Sequence, residues 1–143
     1  LEELGLVPAL ERLSEDFERA HGIEVAWRCE ASTIPRLDAT SETALYRIAQ
    51  EALTNVSRHA AAKHVDLVLA RGDDSITLEI RDDGRGFDAD ATDGSAQRRN
   101  GFGLGSMRER ARGVRGELTV RRRAEGGTRV AVRVPIAEAR WRA

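Results

Sequence analysis

Cysteine and lysine are almost absent from this 143-residue chain, and so are long apolar runs and any excess of one charge. The one cysteine, Cys29, excludes an internal disulfide and any cysteine-rich metal centre, and fits a reducing compartment. Only Lys63 is a lysine among 23 basic residues. So strong a preference for arginine reflects either base composition or phosphate contacts, and composition does not separate the two. The net charge of −1 gives no bulk electrostatic reason to expect nucleic acid or an acidic membrane as a partner. No apolar run approaches the length of a membrane span, and no signal-peptide pattern is present. A cytoplasmic location is expected, with no membrane contact by this domain. Internal repeats and low-complexity blocks are lacking as well. With 41% hydrophobic and 33% charged residues, the chain has the make-up of one folded domain with a real core. Leu1 in place of an initiator methionine suggests a segment of a longer protein.

What is present is periodicity. Leu6, Leu10, Leu13 and Phe17 recur at helical spacing, with Pro8 in a tolerable first-turn position and Gly22 as a stop. Ile23 to Trp27 reads as a short strand. A long amphipathic helix is expected from Ser41 to about His59, buried through Leu45, Ile48, Ala49, Ala52, Leu53 and Val56. Strands follow at His64–Leu69 and Ile76–Ile80, joined at Gly72-Asp73 as an antiparallel hairpin. The pattern then stops, and Ala89 to Asn100 is a long aperiodic loop of the kind that is usually functional or disordered. A helix opens after Gly101-Phe-Gly103-Leu104-Gly105 and runs to Gly113. Two more strands, Glu117–Arg121 and Thr128–Val134, meet at a turn through Glu125-Gly-Gly127. The order α-β-α-β-β-(loop)-α-β-β, with cleanly alternating strands, predicts an α+β, two-layer α/β sandwich. Its mixed, mostly antiparallel sheet would carry the helices on one face. Doubly wound strands, apolar throughout, are missing, which argues against a Rossmann fold. Residues 1–136 read as the domain and residues 137–143 as a loose tail.

Three segments can carry chemistry. Glu51, Asn55 and Arg58 fall on one stripe flanking the apolar face of the long helix, since positions four and seven apart share a side. A carboxylate, an amide and a guanidinium there could hold water, metal and phosphate, or could form a solvated flank. The glycines at 101, 103 and 105 open a helix, where unpaired N–H groups suit an anion; a plain helix cap is the other reading, and the lysine of a P-loop is missing. Asp82-Asp83-Gly84-Arg85-Gly86 lies at a strand end, where an Asp can accept from an exocyclic amine and the glycines leave room for a flat ring; an ordinary turn is the alternative. Gly127-Thr128 by itself reads as a hairpin turn.

In this order, Glu51…Asn55, Asp82-x-Gly84-x-Gly86 and Gly101-x-Gly103-Leu104-Gly105 closely resemble the ATP-binding catalytic domain of sensor histidine kinases. That family belongs to the wider superfamily that includes gyrase, Hsp90 and MutL, whose domain is called the Bergerat ATP-binding fold. Ala44 to Asn55 with Arg58-His59-Ala60, Met107 to Ala111, and Leu4 to Leu10 look like the subgroup of nitrate sensors and DesK-like kinases. The resemblance covers about Leu1 to Pro135. It implies ATP and Mg²⁺ as cofactors. Asn55 would help hold Mg²⁺ against the phosphates, Glu51 would orient water or the metal shell, and Arg58 with His59 beside it would meet phosphate. Asp82 would bind the adenine amino group in a pocket shaped by Gly84 and Gly86, with Thr128 lining it. Gly101, Gly103, Leu104 and Gly105 would lie along the phosphates, and Asp88 to Asn100 would be a lid.

It also implies partners: a dimerisation domain of the same parent that carries the phosphoacceptor histidine, and a response regulator. The domain alone is expected to be a monomer within a homodimeric parent. Two departures stand out. Gly105-Ser106-Met107 places a glycine one position earlier than subgroup members often have it. None of the three histidines, His21, His59 and His64, lies in a helix with the acidic neighbour expected of a phosphoacceptor, so this chain alone should bind ATP without autophosphorylating in the normal way. A serine kinase of the anti-sigma type and a non-catalytic, nucleotide-gated interaction module are the competing readings.

Overall fold

The computed structural model describes residues 3–85 and 103–136, without the side chains of His59 and Ala60. The expected lid, Gly86, Gly101 and the tail lie outside the described residues. The elements follow the predicted order: α1 (Leu6–His21), β1 (Glu24–Cys29), α2 (Ala39–Asn55), β2 (His64–Arg71), β3 (Ser75–Asp82), α3 (Leu104–Gly113), β4 (Glu117–Arg122) and β5 (Thr128–Pro135). The sheet order is β1-β2-β3-β5-β4, with β1 parallel to β2 and all other neighbours antiparallel. Both expected hairpins form. Among the described residues no helix is long and apolar enough to cross a membrane.

Alternation builds the core. Leu67 faces Ile80 across β2 and β3, Leu78 faces Val132 across β3 and β5, and Val120 faces Val130 across β4 and β5. These residues are buried together with Leu6 and Leu10 of α1, Leu45, Ile48 and Leu53 of α2, and Met107 of α3. Each large apolar side chain removed from water contributes about 1.5–3 kcal/mol, which is what binds the helical layer to the sheet. The other side of the strands carries His64, Asp66, Glu79, Arg81 and Arg129, the polar half of a period-two pattern. β1 is an edge strand. The Glu18 carboxylate of α1 accepts the Val25 N–H at 2.9 Å and so blunts that edge.

α2 differs from expectation at both ends. It starts at Ala39 rather than Ser41, because Asp38 is the cap and its Oδ1 accepts the Ser41 N–H at 3.0 Å. Glu42 is only 3% exposed; its carboxylate accepts the Leu37 N–H and pairs with Arg36, both at 3.1 Å. At the far end, Val56–Ala60 widens into a π turn that closes at Ala61 with φ 53. A π turn advances less per residue than an α turn, so side chains beyond Asn55 rotate off the stripe that straight helical spacing assigns them.

The parallel seam between β1 and β2 is pinned by a charged cluster. Register places His64 opposite Glu24, with Nδ1 2.9 Å from Glu24 Oε1 and Nε2 3.2 Å from Asp66 Oδ1. Arg28 reaches the same Asp66 at 3.7 Å. The hydrogen bond to Glu24, followed by Asp66, raises the His64 pKa against the opposing effect of burial. A raised imidazole pKa stabilises the fold below the ordinary histidine range, and that contribution is lost as pH rises through the folded value. Thermal melts of the unmutated chain should therefore show a stability loss as pH rises beyond the ordinary histidine range that His64→Gln abolishes. Equal pH profiles for the two proteins would remove His64 from this role.

Candidate nucleotide site

Asp82 is the last residue of β3 and continues the alternation of Leu78 and Ile80, so its side chain turns toward the helical layer. It is 3% exposed, an unusual place for a carboxylate. Oδ1 accepts the Gly84 N–H at 2.9 Å, an Asx-type turn, and the Thr128 N–H at the start of β5 donates to the same carboxyl group. Burial pushes the Asp82 pKa above the usual range, against the pull of those two N–H groups and of the nearby Arg123. Asp83 points the other way. Its Oδ1 accepts the Lys63 and His64 N–H groups at 2.9 and 3.0 Å, and these bonds outweigh its desolvation and hold its pKa down. Of the two adjacent carboxylates, only Asp82 is turned inward.

Gly127, which by itself reads as a hairpin turn, packs against Asp82. It has φ +90, and a Cβ there would overlap the Asp82 carbonyl oxygen. Gly126, φ +104, packs beside the Gly84 carbonyl, so two turns meet backbone to backbone. The signal that was available is the paired glycine before Thr128, since consecutive glycines permit close approach as well as a turn. Thr128 itself is buried beside Asp82.

The second wall is built by α2 and α3. Gly103 caps α3 with φ 71 and no side-chain cap bond, and the Met107 N–H returns to its carbonyl at 2.9 Å. The Glu51 carboxylate lies directly against Gly103, where a Cβ would overlap it. Half-buried Leu104 and exposed Gly105 form the first turn, whose N–H groups have no earlier helical partner. A Cβ on Gly105 would meet open space, so the shifted glycine is not needed for packing. Asn55, one helical turn beyond Glu51, is 7% exposed and its Oδ1 is buried. Arg58 is exposed within the π turn, so the expected stripe of Glu51, Asn55 and Arg58 does not continue as one straight row. Among the described residues no group of three His, Cys, Asp or Glu could cage a metal by protein ligands alone. An apolar cleft of about 410 Å³, lined by Ala39, Thr43, Ala44, Arg110 and Val114, lies at the opposite end of α2 from Asn55 and includes none of these residues.

The fold is that of histidine kinase nucleotide-binding domains. The chain superimposes on the histidine kinase domain of a blue-light activated kinase from Erythrobacter litoralis with a TM-score of 0.74 at 24% identity, covering 93% of this chain and 62% of that one. The ATP binding domain of PrrB from Mycobacterium tuberculosis gives a TM-score of 0.66 at 19% identity, covering 92% and 94%. In sequence, residues 40–138 match the family of histidine kinase-, DNA gyrase B- and HSP90-like ATPases, and the chain belongs to that family. Among named relatives, the histidine-protein kinase/phosphatase DegS of Brevibacillus brevis is 34% identical over 95% of this chain and 34% of its own length. The nitrate/nitrite sensor NarX of Escherichia coli K12 is 37% identical over 92% of this chain and 21% of its own length. The chain thus spans about a third or less of these relatives.

Two substitution series follow from this geometry. Gly105→Ala should be neutral or mildly stabilising, Gly103→Ala should cost roughly 1–3 kcal/mol, and Gly127→Ala should cost more. The order arises because Glu51 can swing aside whereas the Asp82 backbone cannot; denaturant titration reads it, and a Gly103 cost above that of Gly127 would contradict it. For Asp82, a raised folded pKa means that its stabilising contribution is present at acid pH and lost as pH rises through that value. At neutral pH the ionised group costs stability, so Asp82→Asn should raise Tm by a few degrees at pH 7, with the gain shrinking under acid conditions. A lowered Tm at pH 7 would count against the assignment.

Proposed function

We propose that this chain is the ATP-binding catalytic domain of a two-component sensor histidine kinase of the nitrate-sensor and DesK-like kind. The observation that carries the reading is the buried Asp82 carboxylate, cradled by the Gly84 and Thr128 N–H groups in a member of an ATPase family. An ionised acceptor in so dry a place selects a ligand that brings donors, and the 6-amino group of adenine is one. Guanine presents an oxygen at that position and would be rejected, because a buried acceptor left facing an acceptor loses its partner.

The phosphates would lie at the start of α3, where the N–H groups of Gly103, Leu104 and Gly105 and the helix dipole favour negative charge. Arg58, exposed at the end of α2, would reach them from solvent, with His59 beside it. Mg²⁺ fits the donors present: one amide oxygen from Asn55, a carboxylate from Glu51 one turn away, and oxygens of phosphate and water for the rest. When bound, the ion supplies charge neutralisation to the phosphates. Asn55 would position it, Glu51 would order the surrounding water, and the protein's contribution would be alignment for in-line phosphoryl transfer. The acceptor would be a histidine on a dimerisation domain of the parent protein, and a response regulator would receive the phosphoryl group next. Of the chain's own histidines, His21 ends α1 with its ring 4.6 Å from that of Phe17, and His64 stands between two carboxylates. A cytoplasmic location accords with this role.

Incubation of the chain with γ-labelled ATP, Mg²⁺ and a separately made dimerisation domain of a relative such as DegS tests the proposal. Label on histidine is the expected result. Label on serine, or tight ATP binding with no transfer, would overturn it in favour of a serine kinase or a nucleotide-gated module. In calorimetry, Asn55→Asp should weaken Mg²⁺-dependent ATP binding by about tenfold or more, and the buried carboxylate should lower Tm without preventing folding. Unchanged Mg·ATP affinity would sink the role of Asn55.

A further inference from the structure

Arg123 belongs to none of the sequence motifs, yet it ties two of the pocket's turns together. It follows β4 directly, and its main chain braces the turn into β5: the Arg123 N–H donates to the Gly127 carbonyl at 2.9 Å, and the Gly126 N–H donates to the Arg123 carbonyl at 3.2 Å. Its side chain, 20% exposed, crosses β5 to the end of β3, where Nη1 donates to the Asp82 main-chain carbonyl at 2.6 Å. Asp82 is paired with Val65 of β2 but lies one step beyond the β3–β5 ladder, which ends at Arg81 and Arg129, so the guanidinium holds it on the side that β5 leaves open. Gly127 packs on the same carbonyl, too close for a side chain. Among the described residues the guanidinium also faces Glu125, 3.7 Å from Nε and exposed, which makes it a minor contributor.

We propose that Arg123 is a positioning residue for base recognition: it clamps the Asp82 main chain from the β4–β5 turn and thereby aims the carboxylate at the adenine edge without touching the nucleotide. The proposal rests on the ATP reading above. A charge-assisted bond from a planar guanidinium is stronger and better oriented than a neutral one, and it acts here on the backbone of the residue whose direction decides selectivity. With the clamp removed, Asp82 keeps its Asx turn to Gly84, but the β4–β5 turn that supplies the Thr128 N–H is no longer locked to it. The effect should therefore fall on the base and not on the phosphates.

Calorimetry of the unmutated chain, Arg123→Ala, Arg123→Lys and Glu125→Ala against ATP, ADP, GTP and inorganic tripolyphosphate tests this. For Arg123→Ala the expected result is a loss of about tenfold in ATP and ADP affinity, a narrowed ATP-to-GTP ratio, and tripolyphosphate affinity within about twofold of the unmutated chain. Arg123→Lys, which retains a charge and a donor, should recover part of the lost affinity, and Glu125→Ala should bind like the unmutated chain. Unchanged ATP affinity in Arg123→Ala, or an equal loss for ATP and tripolyphosphate, would overturn the clamp while leaving the ATP reading intact. An unmutated chain that binds tripolyphosphate but does not distinguish ATP from GTP would overturn the base-recognition reading itself.

Discussion

The candidate site depends on one buried carboxylate. Asp82 stands where the alternation of β3 calls for a hydrophobic residue, and desolvation makes its ionised form costly. The surrounding backbone offsets that cost only partly. Gly84 and Thr128 supply N–H groups, Arg123 fixes the carbonyl, and Gly127 must lack a side chain to let the turn come close. Such a residue is better explained by a ligand than by the fold, since an apolar side chain would serve packing better. Functional sites are where proteins tolerate local destabilisation of this kind.

The same division of labour appears on the helical wall. Gly103 takes a left-handed conformation with Glu51 pressed against it, and no side chain caps α3. An uncapped helix start is a poor choice for stability and a good one for an anion. The other helix ends vary, and α1 also opens on a glycine, Gly5, without a side-chain cap. Asp38 caps α2, and Gly22 ends α1 with its N–H on the Glu18 carbonyl. What distinguishes the start of α3 is its neighbour: the Glu51 carboxylate lies against Gly103, whereas the Arg36 side chain lies against Gly5.

Much of this was legible in the residues. Period-two and period-3.6 patterns located α1, α2, α3 and the strands β1 to β5 in order, because burial of one face imposes those periods on the sequence. The Asp82-x-Gly84 pair and the glycines before α3 marked the site by residue type alone. The π turn was not legible: Val56 to Ala60 carry no signal that distinguishes a wide turn from an ordinary one, and Arg58 left its expected row for that reason. The helix start expected at Ser41 lies two residues late, because the cap is Asp38. Glu42 instead became a buried partner of Arg36 and of the Leu37 N–H.

The sequence by itself determined the element order, the inward face of each strand, and the residue types able to meet adenine and phosphate, since all of these follow from local spacing and side-chain chemistry. Tertiary structure alone decided that the Asp82 carboxylate is cradled by the Gly84 and Thr128 N–H groups, and that Gly127 is a close-packing position. It also brought Arg123 across to a strand 41 residues away in the chain. These outcomes depend on β3 and β5 lying side by side while the β4–β5 turn folds over their ends. No local pattern encodes such a juxtaposition, because it arises from the way the whole sheet is stacked.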